Sequence, residues 1–402
     1  MRLNSFPFRV LFTIAGFPMR LLGIRILVIP QHIGHHALEP DLWVKERILA
    51  GRLKRRDILL APRDTTANRP LALKWRTYLH VIERPWLAWV LRSFALRAGL
   101  VAETRSYQGK PDPDTMTLMG PSRYGEVVRR WGDRPPLLTL DDDERRRGGQ
   151  VLDELGLPEG AWFVCIQNRT PGFSQQFSHF FTPIHGERRY DAAFRDCSIE
   201  PLLPAMEAIV DAGGWCVRVG DETAEPVPAM PGVIDYARLD AKSGWMDLFL
   251  CASCRFFVGN TSGLNQVPAV FGAPVVRTNV APMATMQALR LGDLGIPKLF
   301  QLDGRTLSFP EVLGSDVGSY NNQWAFDAAG VTVVENDADD IRDLVVEMLE
   351  ILDGRVRYSP EDEELQARFQ RLIKPHHFNY GGACRVGRGF LRRHRELLSS
   401  TV

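Results

Sequence analysis

The stretch 256-FFVGNTSGLNQVPAVFGAPVV-276 sets small, hydroxylated residues against the end of an apolar run. The spacing predicts a strand ending at Gly259, the turn Asn260-Thr261-Ser262-Gly263, a helix over 263–272 and a second strand, PVVRTN (274–279). A helix beginning at Thr261-Ser262-Gly263 offers unpaired backbone N–H groups and a partial positive charge. Two readings compete. Thr and Ser are favoured helix caps in their own right, and the same residues make a cradle for phosphate oxygens. Arg169 and Arg218 end neighbouring apolar runs, and guanidinium forks pair well with a diphosphate. No G-x-x-x-x-G-K-[ST] or G-x-G-x-x-G motif is present, which argues against a nucleoside triphosphatase and a dinucleotide turn.

Further polar residues stand at other strand ends. Gln167, Asn168 and Arg169 follow WFVCI; Arg218, Gly220 and Asp221 end or follow WCV; Asp235 and Tyr236 follow VI. Ligands of open parallel sheets bind beyond the carboxyl ends of the strands. Four polar ends along one edge therefore suggest a pocket with convergent donors.

The elements that carry them alternate. IRILVIP (24–30), DILLAP (57–62), WFVCIQN (162–168), WCVRVG (215–220), VIDYA (233–237) and RFFVGN (255–260) read as strands. DLWVKERILAGRL (41–53), an aromatic stretch around 73–99, SIEPLLPAMEAIVDAGG (198–214) and WMDLFLCAS (245–253) read as helices. Continuously apolar strands separated by helices mean a parallel sheet covered on both faces. The fold expected is α/β, with two Rossmann-like domains facing a cleft. They span 24–145 and 146–383, after an N-terminal segment 1–23. A last helix in 384–402 is expected to cross back to the first domain.

The chain has 402 residues, 45% of them apolar, and a net charge of +1, so no global field draws it to nucleic acid. The six cysteines are scattered through apolar segments, and Cys251-Ala-Ser-Cys254 has no second pair at zinc-finger spacing. They read as buried thiols of a reducing cytoplasm. Residues 8–30 are apolar but interrupted by Arg9, Arg20 and Arg25. The longest charge-free run is about half of what crossing a bilayer takes. An amphipathic helix over 8–23 either packs on the domain or rests peripherally on the inner face of the membrane.

Three segments carry a resemblance: 31-QHIGHHALEPDLWVKE-46, 194-FRDCSIEPLLPAMEAIVDAGGWCVRVGD-221 and 233-VIDYARLDAKSGWMDLFLCASCRFFVGNTSGLNQVPAVFGAPVV-276. With these the chain resembles, from about residue 24 to 395, a bacterial glycosyltransferase family of surface-polysaccharide type with the two-Rossmann GT-B fold. Gln167-Asn168-Arg169 is more loosely similar to the Arg-bearing strand end of fucosyltransferase-like GT-B enzymes, where His usually stands at the place of Gln167. The resemblance implies a nucleoside-diphosphate sugar as co-substrate, a glycan or lipid-linked acceptor, and an inverting displacement without metal or other cofactor. Asn260, Thr261, Ser262 and Gly263 would then hold the diphosphate, with Arg169 and Arg218 neutralising it. Asp235 and Tyr236 would lie near the base or ribose, alongside Gly220 and Asp221, and Gln266 would reach the sugar or phosphate. Arg195 and Asp196 are either donor contacts or an ordinary charge pair at a helix start.

In such folds the loop 33-IGHHALEPD-41 faces the acceptor. His35 is the candidate general base, since imidazole accepts a hydroxyl proton near neutral pH. Glu39 is the second candidate, or the group that orients His35. The three histidines His32, His35 and His36 otherwise cap the turn; a metal is not expected, for want of further ligands at suitable spacing. Two rivals remain: a sugar-nucleotide epimerase, which needs carboxylates such as Asp221 and Glu222 beside the cradle, and a non-catalytic glycan-binding subunit.

Overall fold

The computed structural model describes residues 6–53, 56–104, 123–172 and 191–399, with the side chains of 6–11 left aside. Apolar β-branched and aromatic runs form two parallel sheets. In the N-terminal one, β1 (Ile26–Leu27), β2 (Ile58–Leu60) and β3 (His80–Ile82) lie in that order, and Val101 bridges to Ile26. In the C-terminal one, β4 (Phe163–Gln167) is central and buried along its whole length. On one side of it lie β5 (Trp215–Arg218) and β6 (Val233–Ile234); on the other lie β7 (Phe257–Gly259), β8 (Val275–Val280), β9 (Leu294–Pro297) and β13 (Arg385–Val386). The chain thus winds outward from β4 in one direction and then, from β7, in the other. The crevice between β4 and β7 is the point where such a sheet reverses its order, the place where doubly wound folds take ligands.

The sequence did not foresee a third sheet. Strands β10 (Leu299–Leu302), β11 (Arg305–Thr306) and β12 (Val331–Val334) pair antiparallel in the order β11-β10-β12.

Three helices differ from expectation. Residues 33–41 are not a loop: a helix runs from Ile33 to Leu49 through Pro40. Pro40 has no N–H for the carbonyl of His36 four residues back. That carbonyl instead accepts the indole N–H of Trp75 at 2.7 Å, which lets the helix pass through the proline. The helix expected over 263–272 is confined to Gln266–Val270, because Ser262 Oγ accepts the N–H of Leu264 and closes a turn first. The last helix, Arg388–Arg393, does not return to the N-terminal sheet. It packs on the helices Ala338–Leu352 and Pro360–Leu372, and Arg388, Arg392 and Arg393 pair there with Glu350, Asp362 and Asp343. The segment before it does reach the other half, where Gly125 lies against Gly382, and the Tyr124 hydroxyl stands between Asp41 Oδ2 at 3.0 Å and Leu289 O at 3.3 Å.

One apolar core runs beneath both parallel sheets, joining Leu27, Ile29 and Leu42 to Phe163, Val217, Phe249 and Val270. All six cysteines are buried and unpaired, as their apolar settings suggested. The first helix, Phe6–Leu21, packs on the helix Pro85–Ala98 through Gly16 against Ala98 and through Phe12 against Phe94, with ring centroids 6.1 Å apart. Among the described residues no helix is long and apolar enough to cross a membrane.

Candidate functional site

The C-terminal sheet delivers its polar residues to the carboxyl ends of β4 and β5. Beyond those ends lies a cavity of 740 Å³, lined by Asn168, Thr170, Ser198, Thr223, Glu225 and Glu335 among others. Asp196 joins it to a smaller space of 340 Å³ beside Lys298. Buried polar atoms normally have partners. Here Gln167 Oε1, Asn168 Oδ1, Thr170 Oγ1 and Asp221 Oδ2 are buried and have none among the described residues. Of these, Asn168 and Thr170 line the cavity, while Gln167 and Asp221 stand beside its wall residues in the chain.

The surrounding groups are held firmly. Arg169 ion-pairs with Asp196 and donates to Ala192 O at 3.1 Å. Its backbone N–H goes to Asn260 Oδ1 at 2.9 Å, while Asn260 Nδ2 donates to Arg195 O at 2.5 Å. Asn260 therefore ties the end of β7 to that of β4. Lys298 Nζ donates to Asp196 O at 2.6 Å; burial pulls its pKa below the ordinary value, against the attraction of Glu335. Burial pushes the Cys197 thiol on the cavity wall up to about 12, which makes it a poor nucleophile. Gly220, two residues beyond β5, has φ +122°, a conformation that suits glycine, and its carbonyl accepts from Lys242 at 2.6 Å.

Two expected ligand contacts are corrected. Tyr236 is wholly buried in the shared core, and its hydroxyl accepts the N–H of Ser243 at 3.0 Å, so it presents no face to a base or ribose. Arg218 is also wholly buried and pairs with Asp235 at 3.1 Å beneath the β5–β6 edge. Burial lowers its pKa from the usual arginine value, while Asp235 opposes that shift. Neither residue can reach a diphosphate in the crevice.

The turn Thr261-Ser262-Gly263 faces the N-terminal half. Thr261 Oγ1 accepts from Ala281 N at 3.3 Å and Ser262 Oγ from Leu264 N at 3.2 Å, so both hydroxyls already serve the turn. Because the following helix has only five residues, a helix dipole adds little here. The amides of Thr261, Ser262 and Gly263 meet no acceptor among the described residues. Gly263 touches Gly34 at the start of the Ile33–Leu49 helix: a Cβ on Gly34 would stand 2.8 Å from Gly263 Cα and 2.9 Å from Gln266 Oε1. Gly34→Ala is therefore expected to cost about 1–3 kcal/mol, since backbone cannot yield as a side chain does. A thermal melt checks this against Gly149→Ala, whose added Cβ meets open space and should leave stability unchanged or raise it.

The same helix start positions the other half of the predicted site. His35 and Glu39 are four residues apart and so share a helix face. His35 Nδ1 lies 2.6 Å from Glu39 Oε1, and Thr104 Oγ1 donates to Glu39 Oε2 at 2.9 Å. The carboxylate fixes the imidazole, and Nε2 is the ring nitrogen left for a substrate proton. His36, one residue on, is a core group: Nε2 lies 3.0 Å from Gln31 Oε1, whose oxygen also accepts from Thr66. Sequence reasoning missed Thr104, Ser198, Thr223, Glu225 and Glu335; Thr104 lies 65 residues from its partner Glu39, and Ser198 lies 137 residues from Glu335. Only Glu335 had a signal, as the residue after the strand VTVV.

Burial, with His35 and His32 nearby, lowers the His36 pKa to about 3. A base with a depressed folded-state pKa stabilises fully above its unfolded value of 6.5 and loses that stability as the pH falls. The loss from this group should reach about 2 kcal/mol at pH 5. Unfolding curves should show wild type losing about 2 kcal/mol more stability than His36→Gln between pH 7 and 5.

Among the described residues no cluster of His, Cys, Asp and Glu could hold a metal ion. No known protein family matches the chain, and no curated protein does. Some solved structures are similar in outline. E. coli ADP-heptose lipopolysaccharide heptosyltransferase II is 14% identical, with a TM-score of 0.42 over 82% of this chain and 97% of that one. The iron-containing dodecameric glycosyltransferase TibC from enterotoxigenic E. coli is 12% identical, with a TM-score of 0.43 over 82% of this chain and 75% of that one. The glycosyl transferase family 9 protein from Veillonella parvula is 14% identical, with a TM-score of 0.25 over 59% and 60%. None reaches 0.5, so these likenesses carry no weight beside the geometry of the site.

Proposed function

We propose that the protein is a glycosyltransferase that moves a sugar from a nucleoside-diphosphate donor to a hydroxyl of a glycan or lipid-linked acceptor. The observation that carries this reading is the pair of unpartnered polar atoms on Asn168 and Thr170 in the wall of the 740 Å³ cavity, with those of Gln167 and Asp221 beside wall residues in the chain. The cavity wall is rich in hydroxyls, amides and carboxylates, with Ile199 and Ala224 between them. Such a wall suits the sugar or nucleoside part of a donor, and its Asp196, Glu225 and Glu335 would repel phosphate. The diphosphate then belongs next door, against the amides of Thr261, Ser262 and Gly263 and the guanidinium of Arg169.

In the displacement, His35 Nε2 takes the acceptor hydroxyl's proton as the oxygen bonds to the anomeric carbon. The bond from that carbon to the diphosphate oxygen breaks, and the departing nucleoside diphosphate keeps the electron pair. Glu39 balances the imidazolium, and the turn amides meet the growing phosphate charge. Attack opposite the leaving group inverts the anomeric centre. The scheme calls on no metal or other cofactor, so EDTA should leave turnover unchanged. Within it the two parallel sheets act as acceptor and donor domains, over 24–145 and 146–383, on the cytoplasmic side of a membrane.

A thermal-shift screen with UDP, GDP, ADP and CMP tests the reading. One nucleotide at a hundred times its Kd should stabilise the fold by about 2.7 kcal/mol, and Asn168→Ala should abolish that shift. No shift with any of them sinks the proposal and leaves a glycan-binding subunit. The carboxylates Asp196, Glu225 and Glu335 on the cavity wall favour one second reading, an epimerase acting on the nucleotide sugar itself. Isomerised donor, formed without any acceptor, would select it.

A further inference from the structure

Among the described residues, the two packed helices at the N-terminal sheet leave an apolar face uncovered. Ile14 (64% exposed), Phe17 and Leu21 follow one stripe of the helix Phe6–Leu21. Trp86 (63%), Trp89 (68%), Val90 and Leu96 follow one stripe of Pro85–Ala98. With Leu22 these make up eight of the ten large apolar side chains exposed among the described residues; only Leu239 and Leu291 lie elsewhere. Scattered exposed apolar residues need no explanation, but a contiguous patch does. The opposite side of the second helix is already used, since Ala88, Ala95 and Ala98 pack on Ile26 and Leu60 of the sheet.

The charge on this face is basic, and Glu83, three residues before Trp86, is paired with Arg69 and Arg76. Neither helix contains Asp or Glu, and the first acidic residue of the chain is Glu39. Exposed Arg84 and Arg92 flank the tryptophans, and Arg97 stacks over Phe12 at 5.6 Å. A second copy would bring like charges together, which disfavours self-pairing. An amphipathic surface whose two helices carry tryptophans, aliphatics and arginines but no carboxylate is what an anionic bilayer surface binds. The helix Pro85–Ala98 follows β3, so its tryptophan-bearing first turns stand at the carboxyl edge of the sheet, where the His35 helix also starts.

We infer that the helices Phe6–Leu21 and Pro85–Ala98 together form a docking face for an anionic lipid bilayer, with Trp86 and Trp89 as its anchors. The chain lies on the bilayer without crossing it. This surface is separate from the cavity, so nucleotide binding and lipid binding can fail independently.

Co-sedimentation of the full chain with vesicles tests the assignment, using phosphatidylcholine alone and phosphatidylcholine mixed with phosphatidylglycerol. The protein should pellet with the mixed vesicles, less with the neutral ones, and less again at high salt. Trp86→Ser with Trp89→Ser should weaken binding at least about tenfold, because both indoles leave the interface. Arg84→Glu with Arg92→Glu should weaken binding to the mixed vesicles by about fivefold or more per position and spare binding to neutral ones. All four side chains are exposed, so melting curves should match wild type. The inference is overturned if neither vesicle pellets the protein, or if the tryptophan pair pellets as wild type does. It is overturned equally if lipid-free sedimentation shows a dimer that the tryptophan changes dissolve, which would assign the face to a second copy.

Discussion

His35→Ala is expected to lower kcat by about 10²–10⁴-fold, the usual contribution of a positioned general base, while nucleotide affinity stays within about twofold. The expectation follows from where His35 stands. Its imidazole is half-exposed on the first turn of the Ile33–Leu49 helix and held through Nδ1 by Glu39, which Thr104 holds in turn. Nothing in this chain of contacts touches the 740 Å³ cavity, so removing the ring should not disturb a nucleoside bound there. Glu39→Gln keeps a hydrogen-bonding group but gives up the charge that balances an imidazolium, so its kcat should fall between those of wild type and His35→Ala. Steady-state kinetics read the first effect and calorimetric titration of nucleotide the second. If His35→Ala weakens nucleotide binding as much as it slows turnover, the histidine belongs to the donor and the acceptor base lies elsewhere.

Local chemistry made part of this legible in the sequence. Apolar runs such as WFVCI and RFFVG could only be buried strands, and the residues ending them had to gather at one edge. That reasoning placed Gln167, Asn168 and Asn260 at one edge of the sheet, and the structure has them side by side at the reversal between β4 and β7. It failed where a distant partner overrode the local signal. Residues 33–41 read as a loop, and Trp75, which takes over the His36 carbonyl that Pro40 orphans, lies 39 residues away from it. Thr104 lies 65 residues from Glu39 and had no pattern to betray it. The segment 384–402 reads as a helix that crosses back to the first domain, yet carboxylates on two neighbouring helices claim its Arg388, Arg392 and Arg393. Tyr236 was misplaced for a simpler reason: an aromatic at a strand end is as often a core residue as a ligand's stacking partner, and only burial tells them apart.

Asp235→Ala is expected to destabilise the fold by about 3–5 kcal/mol without a specific effect on nucleotide affinity. Arg218 has no exposed surface, and its Nε and Nη2 already lack acceptors among the described residues. Asp235 bonds its Nη1 and, through the other carboxylate oxygen, takes the N–H of Val227 at 3.1 Å. Removing the carboxylate leaves a buried guanidinium uncompensated, which costs far more than the pair itself is worth. Arg218→Met combined with Asp235→Ala should therefore recover much of the loss, since the orphaned charge goes with the arginine. A double-mutant cycle by chemical unfolding measures that coupling, and nucleotide titration below the melting point measures binding on the folded fraction. If Asp235→Ala melts like wild type yet binds nucleotide at least tenfold more weakly, Arg218 and Asp235 are ligand groups after all. The cavity would then have to open toward β5 and β6 when a donor enters.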